Sequence, residues 1–239
     1  MYLRSLCIIT TLCLALPALA QEEEKEEGPW SGKATLGYLA TSGNTDSTSL
    51  NAGFEVGYTK NMWIHAFKAV AINATEDEVT TAEAYEAGYK AERNFSEHNY
   101  LFGQLQWRKD RFSGYDIQFA QTVGYGRRLI DTEKHKLNAE IGAGARQSDL
   151  ADGTEESETI VRGSMNYAWQ ISENASFSQL VAVESGSENT YTESVTKLSA
   201  AIVGNLALVA SYTVKNNSEV PVGTENTDTF TALSLEYRF

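Results

Sequence analysis

The side chains with chemistry to offer are charged groups set on one face of alternating runs. They are Lys33, Glu55, Glu86, Lys90, Arg108, Arg128, Glu140, Arg146, Arg162, Glu236 and Arg238. Each sits among polar neighbours opposite a largely apolar face. If that polar face is turned inward, these groups line an enclosed space, and two uses follow. They can fill the space as mutually paired charges, because an unpaired buried ion is costly. Alternatively they form a hydrated lining through which ions or small solutes pass. The residue types leave both open.

Catalysis has less to build on. The histidines are His65, His98 and His135, all at or just beyond predicted short turns. No nucleophile elbow, His-Glu-x-x-His metal motif or phosphate loop accompanies them. No residue is assigned to catalysis, a cofactor or a metal, and a lipase or protease is disfavoured. Acidic clusters form the other charged feature: Glu76-Asp77-Glu78, then Asp149, Asp152, Glu155, Glu156 and Glu158, then Glu219, Glu225 and Asp228. They would gather cations at a mouth or bridge through divalent ions to anionic headgroups, although a solvated loop explains them as well. The spacing after Asp149 does not match a calcium-binding EF-hand loop.

Strands must hold the charged positions. From Trp30 onward, alternating runs follow one another between turn residues, and successive side chains of such a run point to opposite faces. Trp30, Ala34, Leu36, Tyr38 and Ala40 stand opposite Lys33 and Thr35. Leu137, Ala139, Ile141, Ala143 and Ala145 stand opposite Asn138, Glu140, Gly142, Gly144 and Arg146. Leu233, Leu235, Tyr237 and Phe239 stand opposite Ser234, Glu236 and Arg238. Over 62–74 the facing is undecided, since Trp63, His65 and Phe67 oppose Ile64, Ala66, Lys68 and Val70. The pattern predicts an all-β chain of about 12 strands.

Three features favour an antiparallel up-and-down transmembrane barrel over a soluble cup. Many runs reach about eleven residues, which at ~45° tilt span the ~25 Å apolar band of an outer-membrane barrel. Short connections near 59–61, 95–98, 130–134, 171–175 and 204–205 alternate with mostly longer ones near 75–81, 110–116, 147–157, 185–190 and 215–227. Aromatics, including Trp30, Tyr58, Trp63, Tyr100, Tyr125, Tyr167, Trp169, Tyr237 and Phe239, gather beside the short turns as an interfacial girdle would. An even strand count puts both termini on one side, expected to be periplasmic. A lipocalin-like cup would need about eight strands.

Residues 1–20 read as a signal peptide: Arg4, an apolar core over Leu6–Leu19, and small residues at Ala18 and Ala20. Cleavage after Ala20 removes both cysteines, Cys7 and Cys13, and moves the formal charge from −13 to −14. The mature chain then has no thiol for a disulfide or a metal. Such acidity argues against nucleic acid as a partner. Residues 21–29, QEEEKEEGP, form a charge run that reads as a disordered tail, and 30–239 as the barrel. Outer-membrane lipid is the expected surrounding, and the oligomeric state is left open.

The segment WSGKATLGYLATSGNTDSTSLNAGFEVGY and the ending NTDTFTALSLEYRF resemble the YdiY-like family of salt-induced outer-membrane proteins. The most specific piece is the turn Thr41-Ser42-Gly43-Asn44-Thr45-Asp46. The resemblance covers Trp30–Phe239 and implies an outer-membrane barrel with a link to salt or envelope stress, without catalytic residues to carry over. The closing run Leu233, Leu235, Tyr237, Phe239 is similar to the signal read by the barrel assembly machinery. The function expected is a narrow ion or small-solute channel. The alternative is a non-conducting, stress-protective barrel filled by ion pairs.

Overall fold

The computed structural model describes residues 28–41, 47–111 and 113–239. The predicted signal peptide, most of the acidic tail and the Ser42–Asp46 turn lie outside the described residues. Twelve strands follow in chain order: β1 Trp30–Thr41, β2 Ser47–Lys60, β3 Trp63–Glu76, β4 Val79–Asn94, β5 Asn99–Asp110, β6 Tyr115–Asp131, β7 His135–Leu150, β8 Glu155–Ser172, β9 Ala175–Ser185, β10 Thr190–Val203, β11 Leu206–Asn217 and β12 Thr227–Arg238. Each pairs antiparallel with its neighbours in sequence, and β1 meets β12 to close the barrel. Closure satisfies the backbone groups that an open sheet edge would leave bare in lipid.

The alternation of the sequence becomes an inside and an outside. On β12, Leu233, Leu235 and Tyr237 are exposed on the outer surface, whereas Ser234 and Glu236 are buried. The same outer face carries Leu36, Tyr38, Phe54, Leu101, Val123, Ile141 and Val161, all exposed. An apolar belt of this extent on strands of 11 to 18 residues fits hydrocarbon rather than water. On β3 the facing is now decided. Trp63 and Phe67 are exposed with that belt, and Lys68 lines the interior.

Two details depart from expectation. The loop asymmetry is weaker than predicted, because strands absorb most of the acidic stretches. Glu76 ends β3 and Val79 begins β4, so Asp77-Glu78 form a two-residue hairpin turn with φ of 47° and 66°. Both central residues at positive φ is the turn geometry whose twist matches a hairpin. Of the connections on that side, 218–226 alone is long among the described residues. Tyr100 is the second departure. It is inside the barrel at 1% exposure, not in the girdle, and its hydroxyl donates to Glu140 at 2.8 Å. Gly126 on β6 makes room, since a Cβ there would lie 2.2 Å from the Tyr100 ring. The girdle proper includes Trp30 packed on Tyr58 at 4.6 Å and His135 stacked between Tyr167 and Trp169.

Candidate functional site

The interior is the one place where the chain concentrates charge away from bulk water, and the strand order shows how it does so. Ion pairs between strands that are not neighbours in the sheet can form only through the lumen. Arg108 on β5 donates two hydrogen bonds, 3.0 and 2.9 Å, to the two oxygens of Glu184 on β9. Lys215 on β11 reaches Glu86 on β4 at 2.5 Å, Lys197 on β10 reaches Glu55 on β2 at 3.7 Å, and Lys90 on β4 pairs with Glu140 on β7.

These pairs fall into two zones. Toward the loops, the network is dry. Arg146 is 0% exposed and Glu184 1%. Arg146 donates to Glu158 at 3.1 and 2.5 Å and also to the carbonyl of Asn189. Arg162 donates to Glu140 at 3.3 Å, and both Arg146 and Arg162 lie 3.8 Å from Glu184. The Arg108 guanidinium also stacks over Tyr191 at 4.2 Å, the planar-cation contact that aromatic rings favour. Two connections, 186–189 and 218–226, tie down over this zone through three hydrogen bonds. Tyr115 donates to the Glu219 carbonyl at 3.0 Å, Glu188 N–H to Glu158 at 2.9 Å, and Asn189 to Asn217 at 2.8 Å. The space left among Glu86, Arg108, Tyr115, Tyr191 and Lys215 is about 20 Å³, room for one water.

Toward the chain termini the lumen opens. A chamber of about 560 Å³ is lined by Ser31, Lys33, Glu55, Lys68, Lys90, Gln104, Gln106, Arg238 and Phe239. A second cavity of about 200 Å³ adjoins it at Lys90 and Gln104 and continues past Tyr100, Glu140 and Arg162. A third, about 110 Å³, lies behind β1 and β12 beside Glu55, Lys68, Lys197 and Lys215. The pairs here are wetter: Lys33–Glu55 at 3.0 Å, Lys90–Glu92 at 2.9 Å, Arg128–Glu92 at 3.6 Å and Arg238–Glu236 at 2.7 Å.

The sequence compares directly with known proteins. The family model described as a protein of unknown function, DUF481, matches residues 34–239. The uncharacterized protein YdiY of Escherichia coli (strain K12) is 36% identical over 210 residues, 87% of this chain and 83% of that protein. The chain belongs to the DUF481 family. By structure, the DUF481 barrel is similar to the COG4313 outer membrane channel from Pseudomonas putida F1, with a TM-score of 0.50 at 11% identity over 94% of this chain and 96% of that one. The NanC porin superposes with a TM-score of 0.49 at 10% identity over 87% of this chain and 97% of that one. At 11% identity the likeness to that channel is one of fold, that of a closed outer-membrane β-barrel.

In the DUF481 barrel all eleven singled-out charges take part in the interior pairs or line its cavities. The structure brings Arg108, Arg146 and Arg162 together around a residue the sequence reading did not single out, Glu184. Glu158, expected in the acidic outer-loop cluster, is instead buried on β8 against Arg146, because the strand runs past the apolar belt. Lys68, Glu92, Lys197 and Lys215 join the pairs as well. Continuing the period-2 pattern backwards from Arg162 through Ile160 reaches Glu158, so that signal was available. The histidines stand elsewhere. His65 pairs with Tyr89 at 2.7 Å and His135 with Tyr167 at 2.9 Å, both in the aromatic girdle. Among the described residues, no three histidine or carboxylate side chains converge as a metal site. In the acidic 151–154 turn, Asp152 accepts the Thr154 N–H at 2.9 Å, which holds its carboxyl below the ordinary range.

Proposed function

We propose that this protein is a narrow outer-membrane channel for ions or small solutes whose constriction is closed by ion pairs. One observation carries the reading: ion pairs between non-neighbouring strands cross the lumen, and its cavities fall from about 560 to about 20 Å³ along the axis. A barrel meant only as a rigid cylinder could be filled with side chains throughout, as small barrels are. Here a chamber of about 560 Å³ is left open toward the termini. Export through a signal peptide cleaved after Ala20, termini toward the periplasm, and assembly through outward-facing Leu233, Leu235, Tyr237 and Phe239 complete the proposal. The salt-stress link enters through Lys33–Glu55, exposed on both sides, and Arg238–Glu236, exposed at the arginine, which ionic strength screens more than the dry pairs.

The experiment is single-channel recording of the refolded protein in a planar bilayer. Discrete small steps are expected from the wild type, and larger ones from the Arg108→Ala/Glu184→Ala double variant, which removes the cross-lumen pair together. The second reading, a non-conducting barrel, is favoured by the complete burial of Arg146 and Glu184. A silent wild type and a silent double variant, both folded by gel mobility before and after heating, would establish it.

A further inference from the structure

The open chamber is cationic in a protein that is strongly acidic. Five charged residues line it: Lys33, Lys68, Lys90 and Arg238 against Glu55 alone. The other carboxylates that pair with those cations, Glu86, Glu92, Glu140 and Glu236, do not line it. Four cations against one carboxylate therefore turn a positive face to the space, and low-dielectric walls focus that field although the whole chain carries −13. A second observation points the same way. The Gln104 side-chain oxygen is buried without a hydrogen-bond partner, and Gln104 lines both the chamber and the adjoining cavity. A buried acceptor left unpaired is costly, and with the amide turned toward the chamber a solute hydroxyl would satisfy it. The way in is also built. Lys33 and Arg238 have side chains 33% and 51% exposed, so they can be reached without breaking the dry network.

We propose that the chamber binds a small hydroxylated organic anion carrying two or more carboxylates. One carboxylate would gain little, because Glu55 already holds Lys33 at 3.0 Å. Lys68, Lys90 and Arg238 are paired too, but with carboxylates that stand outside the lining, so several carboxylates on one solute can engage together the faces these cations turn to the chamber. A chamber of about 560 Å³ is in the range that takes small-molecule ligands and exceeds such an anion comfortably. The inference rests on the chamber being open to solvent, as in the functional reading above, and not on current passing the constriction.

The test is calorimetric titration of the folded barrel in neutral detergent with citrate as probe, and with glycerol as the uncharged hydroxylated control. Citrate should bind saturably, weaken as salt rises from about 10 to about 200 mM, and glycerol should give no such heat. The rim double variant Lys33→Gln/Arg238→Gln should lose about tenfold or more in affinity, near 1.4 kcal/mol. Lys134→Gln, in a turn at the same end but outside the chamber, should bind as the wild type does. No saturable citrate heat from a folded barrel, or an unchanged affinity in the double variant, overturns the site. Binding in a barrel that conducts no current keeps the site and removes the channel. Current without citrate binding does the reverse.

Discussion

Glu184 decides whether three arginines can share one dry layer. It accepts both hydrogen bonds from Arg108, with Arg146 and Arg162 each 3.8 Å away. Removing one partner of a buried pair leaves the other charge uncompensated, at a cost of about 3–5 kcal/mol. Glu184→Gln should therefore lower the temperature of the folded-to-unfolded gel shift sharply. Glu55→Gln, which loosens a half-exposed pair, should cost no more than about 1 kcal/mol. Equal effects would mean that the loop-side layer is as hydrated as the chamber. Strand alternation made Arg108, Arg146 and Arg162 legible, because each has polar neighbours two residues away. Glu184 was hidden since the inner face of β9 also carries Ala182, buried at 6%, so neither face of that strand reads as polar. Tyr100 misled for another reason. Residue type alone favoured the girdle, while its even position and the space over Gly126 put it inside. Gly126→Ala should destabilise by about 1–3 kcal/mol through overpacking. Gly163→Ala, where no atom lies within 4 Å of the added carbon, should be neutral in the same melts.

Among the elements, the closing seam is the thinnest part of the wall. The β1–β12 register runs only from Lys33–Arg238 to Leu36–Leu235, with Gly32 and Phe239 exchanging backbone hydrogen bonds of 2.8 and 2.9 Å just below it. Other neighbouring strands pair along most of their length, as β1 does with β2 from Trp30–Tyr58 to Thr41–Ser47. Opening of the barrel should start at this seam, since few interstrand bonds hold it and β1 is also the first strand of the chain. A Leu36→Cys/Leu235→Cys pair lies opposite across the seam at about 5.5 Å between Cα atoms, within disulfide reach. Oxidation should raise the melting temperature, with about 2–4 kcal/mol of stabilisation. An oxidised barrel that melts where the reduced one does would place the weak point elsewhere. The strands themselves were readable almost to the residue, β5 and β10 for example, because period-2 alternation is a local signal. Their extension into Glu76 and Glu155 was not. Ladder pairing beyond the apolar belt depends on the partner strand, which a single run of sequence does not show.

For the whole molecule, charge is arranged along the barrel axis rather than spread evenly. The loop side carries Asp77, Glu78, Asp152, Glu155, Glu156, Glu219 and Glu225, while the chamber near the termini holds an excess of lysine and arginine. A small polyanion approaching from the loops meets like charge and then the dry Arg–Glu layer. From the other side it passes the carboxylates of the short turns, Glu97, Asp131, Glu133 and Glu173, and then meets the cationic lining and open space without a dry layer in between. Block by citrate should therefore be one-sided. With barrels inserted in a single orientation and the loop-side pair opened by Arg108→Ala/Glu184→Ala to give a measurable current, citrate added on the termini side should reduce that current. The same concentration on the loop side should reduce it much less, and Lys33→Gln/Arg238→Gln should abolish the difference. The asymmetry follows from where the cations stand, not from the width of the pore. Equal block from both faces would show that the acidic rim exerts no barrier once the constriction is open, and that the chamber is accessible along the full axis.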